Sequence, residues 1–152
     1  MVVDTSGAAL IATARASHAP LAVLRMDRIE AEELAGRPLP TPEARAARAK
    51  EMVSTRAAEI VAISGGAEGT VVATAQGARS CASPNVPVVG RVGAGDSFVA
   101  RMTLALSRSL DAAQACARGV AAASAAVMTP DTQLCSNDET ERCLAEVQIK
   151  AL

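Results

Sequence analysis

The 152-residue chain has no tryptophan, no tyrosine and a single phenylalanine. Without aromatic platforms for bases, and with its 15 basic residues scattered and balanced to a net charge of -1, it lacks the footprint of a nucleic-acid binder. One histidine and four cysteines (Cys81, Cys116, Cys135, Cys143) with no CxxC spacing argue against a metal cluster; reduced thiols in the cytoplasm are the expectation. No apolar run approaches the ~18 residues of a membrane span. Met1-Val2-Val3-Asp4 has neither the charged start nor the long apolar run of a signal peptide. Bulky apolar side chains are scarce too: half of the residues are hydrophobic, but alanine supplies 35 of them. Helices rich in alanine pack closely yet bury little area each. The length fits a single domain over 1–152.

The chain does contain two glycines one residue apart, in Val92-Gly93-Ala94-Gly95-Asp96-Ser97-Phe98. They stand between a β-like run at 86–92 and an apolar helical pattern through Phe98, Val99, Met102, Leu106 and Leu110. Glycine lets the backbone approach a ligand, and a helix starting just afterwards presents free N–H groups to an anion. Asp96 at that turn reads either as a helix cap, which these seven residues alone favour, or as a base placed to remove a proton.

In chain order, Val2-Val3 reads as the tail of a strand and residues 8–16 as a helix broken by His18-Ala19-Pro20. Leu21-Ala22-Val23-Leu24 reads as a buried parallel strand leading into a short helix closed by Gly36. Thr41-Pro42-Glu43 starts a helix running to about Ala58. Ile60-Val61-Ala62-Ile63 is a further buried strand, and 70–74 with 78–82 form a hairpin about Gln76-Gly77. Asp111 with Gln114 and Ser136 with Glu139 are capping boxes for helices ending near Met128 and Val147. The order β-α-β-α-α-β-β-β-β-α-α-α predicts a mixed α/β domain with helices over a mainly parallel sheet.

Ligands in such sheets gather beyond the C-terminal strand ends, where three polar clusters are expected: 25–30, 64–66 and 93–96. Asp27 and Glu30 can hold a hydrated Mg²⁺ through water, or are simply acids in a first helical turn. Ser64-Gly65-Gly66 can admit a nucleotide phosphate or ribose, or is a plain strand-to-loop turn. Arg25 can neutralise phosphate charge, or is a solvated arginine. Taken together the clusters match phosphoryl transfer, which needs positioning, charge neutralisation and a base.

Val92-Gly93-Ala94-Gly95-Asp96-Ser97 resembles the signature of the ribokinase-like (PfkB) carbohydrate kinases. Asp4-Thr5-Ser6-Gly7, Glu33-Leu34-Ala35-Gly36-Arg37 and Leu134-Cys135-Ser136 are similar to the branch that includes the second-type bacterial 6-phosphofructokinases. The resemblance implies a three-layer ribokinase-like α/β fold of which this chain is the C-terminal, nucleotide-binding half. It implies ATP-dependent phosphorylation of a sugar or sugar phosphate, with ATP and Mg²⁺ as cofactors. Asp96 would be the catalytic base, and Gly93, Ala94 and Gly95 would form the anion hole. Asp27 and Glu30 would organise Mg²⁺; Arg25, Asp27, Ser64 and Gly66 would serve the nucleotide; Val120, Ala126 and Thr129 would lie by the adenine pocket. Arg25-Met26-Asp27 departs from the family's Lys-Pro-Asn, Arg91 replaces a small polar residue and Asp131 a glycine. The expected partners are the nucleotide and a phosphosugar, with self-association or a partner chain covering an exposed sheet edge. The rival expectation is a truncated, non-catalytic nucleotide-binding or interaction module.

Overall fold

A computed structural model describes residues 1–15, 21–130 and 135–152. The expected break at His18-Ala19-Pro20, the departure at Asp131 and the similarity at Leu134 lie outside the described residues. The elements are β1 (Val2–Asp4), α1 (Gly7–Arg15), β2 (Leu21–Asp27), α2 (Arg28–Ala35), α3 (Pro42–Ser54), β3 (Ala58–Ser64), a 3₁₀ turn (Gly66–Glu68), β4 (Thr70–Thr74), β5 (Gly77–Ala82), α4 (Ala94–Ser107), α5 (Ala112–Val127), α6 (Asn137–Glu146) and β6 (Gln148–Ala151). The strands form one mixed sheet in the order β1-β2-β3-β4-β5-β6. β1 and β3 run parallel to β2, and β4 turns back antiparallel to β3. This is the α/β sheet expected from the alternation of strands and helices.

The residues gather into two compact units. The first comprises Met1–Gly66, Thr70–Ser80 and Lys150–Leu152. Its core is built from branched and long apolar side chains on β2 and β3, with Leu24, Met26, Val61 and Ile63 fully buried, together with Leu10, Leu39, Met52 and Val71. Near-continuous apolar runs are what strands covered on both faces require. α2 begins with a reciprocal Asp27–Glu30 capping box and stops at Gly36, whose φ of 65° supplies the left-handed C-cap. α3 is capped by Thr41 with Pro42 in its first turn.

The second unit comprises Ala67–Gly69 and Cys81–Ile149. Its centre is α5, where Ala115, Ala117, Ala121, Ala122, Ala125 and Ala126 are buried along with Gly119. At Gly119 an added Cβ would sit 2.8 Å from the Phe98 ring, so only glycine permits this close crossing of α4 and α5. Capping boxes start α5 (Asp111, Gln114) and α6 (Ser136, Glu139) as expected.

Three expectations need correction. The run at 86–92 is not a strand: Pro87 cannot donate to a sheet ladder, and the amides of Val89 and Gly90 bond the Val127 carbonyl instead. The helix from Pro42 ends at Ser54, four residues before Ala58. Arg56 takes a left-handed φ of 63° there, and the Ala57 amide returns to the Met52 carbonyl. After α6 comes the strand β6, which was not expected.

Candidate functional site

In the first unit, parallel pairing brings the C-terminal ends of β1, β2 and β3 to one edge. Asp4 stands level with Arg25, and Asp27 level with Ser64. The Arg25 guanidinium bridges its neighbours: Nη1 donates to both Asp4 carboxylate oxygens at 3.3 Å, and Nη2 donates to Ser64 Oγ at 3.1 Å. Its side chain is 16% exposed and that of Asp4 27%, so the head is fixed rather than freely solvated. Sequence reasoning placed Arg25 and Ser64 here but missed Asp4 as their anchor. The signal was present: opposite charges ending two strands, legible once those strands are known to pair.

Asp27 Oδ1 accepts from the Glu30 amide at 2.9 Å, and Glu30 Oε2 accepts from the Asp27 amide at 2.7 Å. The box uses one oxygen of each carboxylate, and no hydrogen bond among the described residues takes the other. Asp4, Asp27 and Glu30 set three carboxylates against one guanidinium at this edge. No group of three or more His, Cys, Asp or Glu side chains among the described residues is placed to enclose an ion. A hydrated Mg²⁺ fits these residues: that ion keeps much of its water and needs only one or two protein carboxylates.

The Ser64-Gly65-Gly66 turn is set by a buried arginine. Arg45, 1% exposed, donates from Nη1 towards the Leu39 carbonyl at 3.4 Å, and a Cβ on Gly65 would come within 2.8 Å of its Nη2. Gly66 follows with a left-handed φ of 63°. Gly65 thus makes room for the Arg45 head, and Gly66 supplies the left-handed turn.

In the second unit, Gly93 is the N-cap of α4, with φ 81° and no side-chain capping bond. The Ser97 amide is the one that closes onto the Gly93 carbonyl, at 2.9 Å. The amides of Ala94, Gly95 and Asp96 therefore precede the helical ladder and lie in its positive end. Asp96 is at the third helical position, exposed, and takes up no hydrogen bond among the described residues. The reading of Asp96 as the cap is thereby corrected: the capping position belongs to Gly93, which has no side chain to cap with. Nor does this turn stand at a strand end, because 86–92 is a loop. Val120 and Ala126 are buried on α5, and Thr129 Oγ1 donates to the Ala126 carbonyl at 2.8 Å. A hydrogen bond from the Cys116 thiol to Cys81, together with burial, pushes Cys116 well above its ordinary range, and burial raises Cys143. Both stay protonated and unreactive at neutral pH.

The model of the pfkB family of carbohydrate kinases matches residues 1–139. The chain belongs to the pfkB family. This pfkB-family chain is 33% identical over 144 residues to the ATP-dependent 6-phosphofructokinase isozyme 2 of Escherichia coli (strain K12), covering 95% of itself and 46% of that protein. With the isozyme of the same name from Mycobacterium tuberculosis (strain ATCC 25618 / H37Rv) it shares 32% identity over 142 residues, covering 93% of itself and 41% of the relative. It superposes on phosphofructokinase-2 from Escherichia coli, solved in complex with substrates and products, with a TM-score of 0.87 at 33% identity over 95% of this chain and 46% of that one. The ribokinase of Thermotoga maritima matches with a TM-score of 0.70 at 23% identity, covering 83% of this chain and 43% of its own, a likeness of fold alone. The pfkB-family chain thus has the expected ribokinase-like architecture, and it spans less than half the length of the curated relatives it matches.

Proposed function

We propose that this chain supplies the nucleotide-handling part of an ATP-dependent kinase that phosphorylates a sugar or sugar phosphate. The observation that carries the reading is the α4 N-terminus. Amides of the Gly93-Ala94-Gly95 turn precede the helical ladder beside an Asp96 carboxylate committed to no other partner. A developing negative charge is stabilised by such amides, and a carboxylate beside them is placed to accept a proton from an attacking hydroxyl. Asp96 is thus the base, and Gly93, Ala94 and Gly95 hold the transferring group. Arg25, Asp27, Ser64 and Gly66 serve the nucleotide, as do positions around Val120, Ala126 and Thr129. Mg²⁺, held through water by Asp27 and Glu30, would supply neutralising charge to the phosphates. Four free thiols suit a reducing cytoplasmic setting.

The altered Arg25-Met26-Asp27 cluster, where Asp27 sets a further negative charge, favours one second reading, a non-catalytic nucleotide-binding or interaction module. Self-association or a partner chain along a sheet edge is part of either reading. Escherichia coli phosphofructokinase-2 has a tetrameric inhibited form, and β6 here is exposed along its whole length. ADP release from Mg-ATP with fructose 6-phosphate separates the two readings. The kinase reading expects release that drops by roughly 10²–10⁴ in Asp96→Asn. Saturable ATP binding with no ADP formed would leave the module. Equal turnover in the variant would remove Asp96 as the base.

A further inference from the structure

The second unit carries a groove along the C-terminal half of α4, the helix that the Gly93 turn starts. It is a small open groove of about 100 Å³ lined by Arg101, Leu104, Ala105, Arg108, Leu110 and Arg118. Four of these lie on one face of α4 and its C-cap, at the spacing i, i+3, i+4, i+7. Arg118 comes from α5. We propose that this groove binds a small organic phosphate monoester with an apolar body.

Charge and shape argue for it together. Arg101 donates from Nη2 to Asn137 Oδ1 at 3.0 Å and to Glu141 Oε1 at 2.8 Å. Arg118 Nη1 stands 3.6 Å from that same Glu141 oxygen. One carboxylate therefore holds two guanidiniums in place while cancelling only one of their charges. Arg108 is exposed, and its side chain makes no hydrogen bond or ion pair among the described residues. The nearby Asp111 accepts the Gln114 amide through Oδ1 in the α5 capping box and keeps its negative charge. Three guanidiniums against the carboxylates of Glu141 and Asp111 leave a positive surplus that favours an anion, and guanidiniums bind phosphate through paired donors. The floor is apolar: Leu104 is 39% exposed, with Ala105 and Leu110 beside it. Inorganic phosphate would use only the rim, whereas a monoester with an apolar group would cover the leucines as well. The proposal does not depend on the kinase reading.

Calorimetric titration of the full chain with phenyl phosphate and with inorganic phosphate at low salt tests it. Phenyl phosphate should saturate one site about tenfold more tightly than inorganic phosphate. The double variant Arg108→Ala/Arg118→Ala should weaken phenyl phosphate by about tenfold or more. Glu141→Gln, which removes the competing charge, should tighten it about threefold, a gain that a merely damaged fold would not produce. The Arg108 side chain forms no bond among the described residues, and the amide that caps α4 is kept in alanine, so an unchanged melting temperature is expected for Arg108→Ala alone. No saturable binding overturns the proposal. So does equal affinity for the two probes, or equal affinity in the double variant, which would locate the anion elsewhere.

Discussion

The two units solve the problem of a chain poor in large side chains in opposite ways. The first concentrates the bulky residues: Leu24, Met26, Val61 and Ile63 fill β2 and β3, and the polar edge beyond them is tied by side-chain bonds from Arg25 to Asp4 and Ser64. The second packs small residues along α5, so that Gly119 meets Phe98 directly, and its turn at Gly93 exposes backbone amides rather than side chains. Large side chains gain stability through buried area; small ones gain it by letting backbones approach. One unit is therefore vulnerable to cavities and the other to overfilling.

Ile63→Ala probes the first vulnerability. Ile63 is fully buried, and losing its side chain should cost about 2–5 kcal/mol in urea unfolding. Gly119→Val probes the second, because the added atoms meet the Phe98 ring and carbonyl; the expected cost is about 1–3 kcal/mol. If enlarging Gly119 proved neutral while alanine at 63 remained costly, the contrast between the units would fail on the helical side. Asp4→Asn addresses the polar edge. The pair is partly solvated, so stability should fall by less than about 1 kcal/mol, yet nucleotide affinity should change because the Arg25 head loses its anchor. Unchanged affinity would make Asp4–Arg25 a structural tie only.

The smallest effect concerns pH. Hydrogen bonds from Ser136 hold the Glu139 carboxyl below its ordinary range. A carboxyl lowered in the folded state adds stability above its unfolded pKa, and that contribution is lost as pH falls through the folded value. Acidification should thus loosen α6 slightly, and Ser136→Ala, which removes the hydroxyl but keeps the amide hydrogen bond, should reduce that part of the pH dependence of melting.

Much of this was legible where local chemistry decides. Thr41, Asp111 and Ser136 announce their helices because each cap is a contact across three residues. The Gln76-Gly77 hairpin and the Gly93 turn are equally local, since glycine marks the backbone angle itself. What escaped depends on residues distant in sequence. The valines of 86–92 look like a strand until Val127 claims the amides, and Val88, Val89 and Val92 end up more than half exposed. Gln148-Ile149-Lys150 has no buried face, so no apolar pattern marks β6. Asp4 and Arg25 meet only through sheet register, and Gly119 matters only because Phe98 lies against it. The placement of Arg25, Asp27 and Ser64 at strand ends was readable, whereas the bond from Asp4 to Arg25 and the buried Arg45 behind Gly65 were not.

Calorimetric titration of the purified chain with ATP, with and without Mg²⁺, tests the central claim most directly. The claim is that this chain itself carries nucleotide-handling function. A single saturable site is predicted, stronger with Mg²⁺, with that gain lost in Asp27→Ala/Glu30→Ala. Absence of saturable binding under either condition would contradict it.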